Sequence, residues 1–118
     1  MPKIISLAFT NATNERDDEY NKWYDEQHLV DALVIPGIKW GERYRLSEKS
    51  RNKSPYRYLA IYEIEDILQM QKEVATRAAT PLMPRSELMD ADRIFLEYDL
   101  ITPRLTHEEA LAKRGLKK

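Results

Sequence analysis

The spacing of the apolar residues changes character from segment to segment, and that alternation constrains the fold more than any other feature of the chain. Lys3 to Thr10 repeats with a period of two, Ile5, Leu7 and Phe9 on one face and Ile4, Ser6 and Ala8 on the other, as a strand does. NATNERDD supplies turn formers and a helix N-cap, with acidic residues where a helix dipole favours negative charge. From Asp18 to about Val34 there is no Gly or Pro, and Tyr20, Trp23, Tyr24, Val30 and Val34 recur at three- and four-residue steps. This spacing predicts a helix beginning near 15–18 and ended by Pro36 and Gly37.

Alternation then resumes. Ile38 to Leu46 sets Ile38, Trp40, Tyr44 and Leu46 against Lys39, Gly41, Arg43 and Arg45, with Glu42 the one charge on the apolar side. After the polar break SEKSRNKSP, Tyr56 to Ile64 sets Tyr56, Tyr58, Ala60, Tyr62 and Ile64 against Arg57, Leu59, Ile61 and Glu63. Glu65 or Asp66 can cap a second helix, with Ile67, Met70, Val74 and Ala78 as its stripe, closed by Thr80 and Pro81. A fourth strand spans Arg93 to Thr102. The order β-α-β-β-α-β is that of a ferredoxin-like α+β sandwich, two helices on one face of a four-stranded antiparallel sheet. Residues 1–103 form that domain, and 104–118 a tail or short helix. Both sheet faces carry apolar residues, so the face without helices calls for a partner, and a second copy of the chain is the expected one.

Composition limits the chemistry. At 118 residues the chain has room for one core. The absence of Cys removes disulfides, thiolate metal sites and Cys nucleophiles together. Nineteen basic against 20 acidic residues give no excess to draw nucleic acid. No glycine-rich phosphate loop and no His pair at metal-binding spacing is present, so neither metal nor cofactor is expected. The amino-terminal stretch lacks the pattern of a signal peptide, and no apolar run approaches the length of a membrane span. A cytoplasmic protein without membrane partners is the expectation.

What remains is one histidine and a tyrosine-rich aromatic set. His107 lies among acidic residues in the tail. His28 lies mid-helix, on the face of Tyr20 and Tyr24 and three residues from both Asp25 and Asp31. A surface histidine bridging to an acid fits this pattern, and so does a pocket histidine serving as general base, since its ordinary pKa suits proton transfer near neutrality. Trp40 and Tyr44, if the apolar side of their strand faces the helices, share a layer with Tyr58 and Tyr62. Such a set packs as ordinary core or lines a pocket for an oxygenated ligand. Arg43, Arg45 and Arg57 form a basic stripe suited to holding a carboxylate, to dressing an exposed sheet, or to pairing with Glu63 and Glu97 across a dimer.

The stretch EYNKWYDEQHLVDALVIPGIKWGERYRL resembles the EthD-like branch of the dimeric α+β barrel superfamily, through Tyr20, Trp23, Tyr24, His28, Leu29, Pro36, Gly37, Arg43 and Tyr44. PYRYLAIYEIE is similar to the family's third strand, and the resemblance covers about residues 3 to 102. It implies a homodimer with a pocket between sheet and helices, acting on small oxygenated, often aromatic molecules, and it implies that His28 lines that pocket. The isomerase branch pairs its His with a Cys, which this chain lacks. The expected activity is a cofactor-independent lyase, isomerase or cyclase, with His28 and Tyr24 at the chemistry and Trp40, Arg43, Tyr44, Tyr58 and Tyr62 around the substrate. A cofactor-free monooxygenase and a non-catalytic binder of small molecules are the alternatives.

Overall fold

The computed structural model describes residues 3–116. Its strands are β1 (Ile4–Thr10), β2 (Ile38–Arg45), β3 (Tyr58–Ile64) and β4 (Ile94–Asp99). They form one antiparallel sheet in the order β2-β3-β1-β4. The first helix, α1, occupies 17–33 between β1 and β2; α2 (Ile67–Arg77) joins β3 to β4; α3 (His107–Lys113) follows β4. This is the ferredoxin-like α+β arrangement, with the core between the helices and the face carrying Ala8, Tyr58, Ala60, Tyr62 and Ile64.

α1 opens with Asp17, Asp18 and Glu19 in its first turn, as the dipole favours, but Arg16 holds the cap position and makes no side-chain capping bond. Its middle is wider than an α-helix. Asp17–Trp23 and Leu29–Leu33 are α-helical, whereas Tyr24–His28 form a π-turn in which the Leu29 N–H donates to the Tyr24 carbonyl five residues back. Five residues make about 1.4 α-helical turns, so an unbroken α-helix would carry Leu29 roughly 140° away from Tyr24. The wide turn keeps Leu29 packed against the core beside Tyr24.

α2 is capped as expected, the Asp66 carboxylate accepting from the Gln69 N–H at 3.0 Å. The helix ends at Arg77, ahead of Ala79 at φ 62°. β3 starts at Tyr58, because Tyr56 turns aside to Phe9 and donates to Asp92 at 2.9 Å. β4 stops at Asp99, short of the expected Thr102.

The larger correction concerns β2. Ile38 lies opposite Ile64, but Trp40 lies opposite Glu63, so two steps on β2 match one on β3 and Lys39 is the extra residue of a bulge. Every later residue therefore changes side. Gly41, Arg43 and Arg45 pair with Tyr62, Ala60 and Tyr58 on the helix face, while Trp40, Glu42 and Tyr44 pair with Glu63, Ile61 and Leu59 on the other. Trp40 and Tyr44 thus do not share a layer with Tyr58 and Tyr62.

The chain exposes more surface than its size requires. A folded monomer of 13.9 kDa is expected to expose roughly 6,700 Å², whereas this one exposes 8989 Å². Its radius of gyration is 17.2 Å, against about 13.5 Å for a compact chain of this length. The excess lies on the helix-free sheet face, with Trp40, Tyr44, Ile94, Leu96 and Tyr98 uncovered, and along residues 100–116.

Gly41 is where β2 tolerates no side chain. A Cβ there would stand 2.6 Å from Tyr62 Cδ1 and 3.3 Å from Leu29 Cδ1. Gly41→Ala is expected to cost about 1–3 kcal/mol through displacement of the Tyr62 ring. The check is a lower urea midpoint at unchanged m-value, and an unaltered midpoint would refute the packing argument.

Candidate functional site

On the helix face, α1 and β3 present tyrosines to one another. Tyr20 and Tyr58 meet at a tilt of 46° with 5.5 Å between ring centres, and the Tyr24 and Tyr62 hydroxyls share a 3.1 Å hydrogen bond. Tyr20 Oη is bonded to Thr10 Oγ1 at 2.5 Å. Burial pushes the Tyr20 phenol up to about 12 and raises those of Tyr24 and Tyr62, so all three are neutral at physiological pH. The Tyr24–Tyr62 bond uses one of two hydroxyl protons, leaving the second for an outside acceptor.

Ala60, the small residue between Tyr58 and Tyr62, lies opposite Arg43, and the space it leaves holds a guanidinium. Arg43 Cζ stands 4.2 Å from the Tyr24 ring centre, 5.4 Å from Tyr58 and 5.5 Å from Tyr20. Its Nη1 donates to Asp25 at 2.7 Å and its Nη2 to Asn21 at 3.0 Å. Its Nε is buried without a partner. Within the chain Arg43 takes Asp25 and Arg57 takes Asp17, while Glu63 goes to Lys3 and Lys39, and Glu97 accepts from Gln71. The Tyr58 hydroxyl, 2.5 Å away, and then Arg57 hold the Asp17 carboxyl below its ordinary value.

His28 closes the π-turn. Its ring stacks on Trp23 at 4.9 Å and meets Tyr24 edge-on at 4.7 Å. Neither Asp25 nor Asp31 orients it; Nδ1 is buried with no hydrogen-bond partner, as is Asp31 Oδ2. Burial first, then the positive charges of Arg93 and Arg43, push its pKa down to about 4. His28 is therefore a neutral acceptor at pH 7, and the near-neutral pKa that suggested a base does not hold in the free protein.

An open groove of about 450 Å³ runs between α1 and β2, lined by Asn21, Asp25, Leu29, Arg43, Tyr44, Arg45 and Tyr58. Of the expected substrate residues it gathers Arg43, Tyr44 and Tyr58. Tyr62 and Tyr24 lie behind Arg43 in the core, and Trp40 is on the opposite sheet face, donating from Nε1 to Glu63 at 2.8 Å. His28 does not line the groove. Asn21 escaped sequence reading, although its place one turn before Asp25 on the helix was the available signal. Among the described residues no three His, Asp or Glu side chains gather as metal ligands, and no helix is long and apolar enough to cross a membrane.

No family model and no curated protein matches this chain in sequence. Solved structures do match in shape. An EthD-like protein from Ralstonia eutropha aligns at TM-score 0.63 with 10% identity, covering 88% of this chain and 97% of that one. This is the fold of the dimeric α+β barrel proteins. Other such structures are a proposed antibiotic biosynthesis monooxygenase from Bacteroides thetaiotaomicron (TM-score 0.59, 18% identity, 88% and 94% covered) and a dimeric ferredoxin-like protein from an uncultured marine organism (0.54, 14%, 88% and 100%). In this chain the groove between α1 and β2 carries the charges of Asp25, Arg43 and Arg45.

The depressed pKa of His28 has a thermodynamic signature. Between pH 6.5 and about 4 the unfolded chain binds a proton that folded His28 refuses, so stability is full above this window and falls as pH drops through it. An NMR titration of the His28 ring should give a midpoint near 4, and His28→Gln should flatten the decline in unfolding free energy across the same range. A midpoint near 6.5 would overturn the reading of the burial.

Proposed function

We propose that this chain is a cofactor-independent enzyme, a lyase, isomerase or cyclase, moving a proton on a small oxygenated aromatic, lactone or polyketide-like molecule, with His28 as the base. The observation that supports it most is the buried, unpartnered Nδ1 of a neutral His28 beside the Tyr24–Tyr62 pair and within the field of Arg43. Burial lowers its pKa most, and the positive charges of Arg93 and then Arg43 lower it further. A ligand carrying a carboxylate or enolate oxygen on Arg43 cancels part of that field and raises the histidine toward the range where a base is effective. The spare hydroxyl proton of the tyrosine pair and the Arg43 guanidinium then face the oxyanion that forms as the proton leaves. The protein works as a homodimer, the helix-free sheet faces covering one another, and carries no metal or cofactor for this step.

A second reading follows from the groove itself, since His28 is not among its walls: the chain binds an anionic metabolite without transforming it. The monooxygenase alternative loses its tryptophan, because Trp40 lies on the other face.

The two readings separate by exchange. Aryl γ-lactones, 2-pyrones and aryl ketones bearing a carboxylate are incubated with the protein in D2O and followed by NMR. The enzyme reading expects deuterium wash-in next to the carbonyl, lowered on the order of 10²–10⁴-fold in His28→Gln with the fold retained. Undiminished exchange in that variant would eliminate His28 as base. A rise in melting temperature without exchange in the unmodified protein assigns the binding role.

A further inference from the structure

Residues 100–116 leave the body of the molecule. The Leu100 N–H donates to the Lys3 carbonyl, and beyond it the backbone hydrogen bonds of the described arm close within the arm. Ile101 is 95% exposed, and Leu105 and Leu116 are exposed as well. Even so, α3 is specified at both ends. Thr106 and Glu109 form a reciprocal capping box. Gly115, at φ 71°, closes the other end: its N–H donates to Ala112, and the Leu116 N–H reaches the Leu111 carbonyl at 2.8 Å. A seven-residue helix is too short to persist in water on its caps alone, because nucleation is unfavourable and packing supplies most helical stability. Its packing surface therefore belongs to another molecule.

A matching surface lies at the far edge of the sheet. Among the described residues β2 is an edge strand whose outer backbone groups have no strand beside them. Along it runs the groove beside Arg43, and Val30, Leu33 and Val34 lie exposed on the adjoining turns of α1. β4, from which the arm departs, is the opposite edge, three strand spacings of about 4.8 Å away. Within one chain the arm leads away from β2. In a twofold pair each arm meets the other copy's β2, and both contacts form together. The surplus of exposed surface, about 2,300 Å² per copy over a compact monomer, is on the scale buried by obligate dimers. The acidic first turn of α3, at Glu108 and Glu109, is complementary to Arg45 on the groove rim.

We infer that residues 100–116 of each copy lie along β2 of a second copy and close its groove, with Leu105 and Leu116 seated on Val30, Leu33 and Val34. The groove is thus complete only in the dimer. This inference rests on the homodimer proposed above and is independent of the chemistry assigned to His28.

The test places the photocrosslinker p-benzoylphenylalanine at position 105, and separately at 116, of the full chain, mixed with an isotope-labelled unmodified copy. After irradiation and digestion, mass spectrometry is expected to find inter-copy products on the segment 29–46. Products confined to the same chain, products on the partner's strands at 5–9, 59–63 or 94–98, or no inter-copy product from either position would overturn the inference. Sedimentation of the unmodified protein separates the causes: a monomer removes the homodimer and the arm together, whereas a dimer cross-linked elsewhere removes the arm alone. Leu105→Asp should raise the dimer dissociation constant at least about tenfold with helical content retained, and an unchanged constant counts against the arm.

Discussion

A single cation organises the helix side of this sheet. Arg43 enters a layer of tyrosines that by itself would be ordinary core, and its charge is tolerated there because Asp25, Asn21 and the faces of Tyr20, Tyr24 and Tyr58 surround it. A buried charge without such partners would cost several kcal/mol. Its place depends in turn on two backbone facts: the bulge at Lys39, which sets the parity of β2, and Gly41, which leaves room for Tyr62. The same charge reaches His28 and adds, after burial and Arg93, to what keeps it neutral.

Most of the fold was legible in the sequence. Period-two alternation marked four strands, Asp66 announced α2, and Pro36 with Gly37 stopped α1, where Gly37 takes φ 95°. These signals are local, and the backbone obeys them because each settles its own dihedral angles or its own capping bond. What failed was the side of β2. Alternation assigns a face only while the count is unbroken, and one inserted residue at Lys39 sent Trp40 and Tyr44 to the uncovered face and brought Arg43 inward. A sign was present in the mixed character of the strand. An apolar stripe interrupted by Glu42, opposite a stripe holding the only strand glycine, fits the inverted assignment better than the expected one.

Of the candidate site the sequence offered residue types, of which the groove gathers Arg43, Tyr44 and Tyr58, and not the electrostatics. His28 and the tyrosines were identifiable as residue types with chemical capacity, and the structure brings Tyr24 and His28 into contact. Their protonation depends on burial and on distant cations, Arg93 among them, which no spacing rule reports. Likewise Asp25 looked like a partner for His28 because both lie on α1 three residues apart, yet it faces Arg43 across the crevice. Through-space neighbours outranked neighbours in sequence.

The wide turn at Tyr24–His28 has a consequence for how α1 tolerates change. Ahead of it, Tyr20 and Tyr24 are phased to the tyrosines of β3; behind it, Leu29 and Ala32 are phased to the bulged strand β2. The one-residue slack in the helix and the one-residue slack in the strand act on the same stretch of the molecule, as two compensating dislocations do in a crystal lattice. Straightening the turn into a regular α-helix of unchanged length would bring His28 round to the position Leu29 now fills. The regularity of either element alone is thus incompatible with the packing between them.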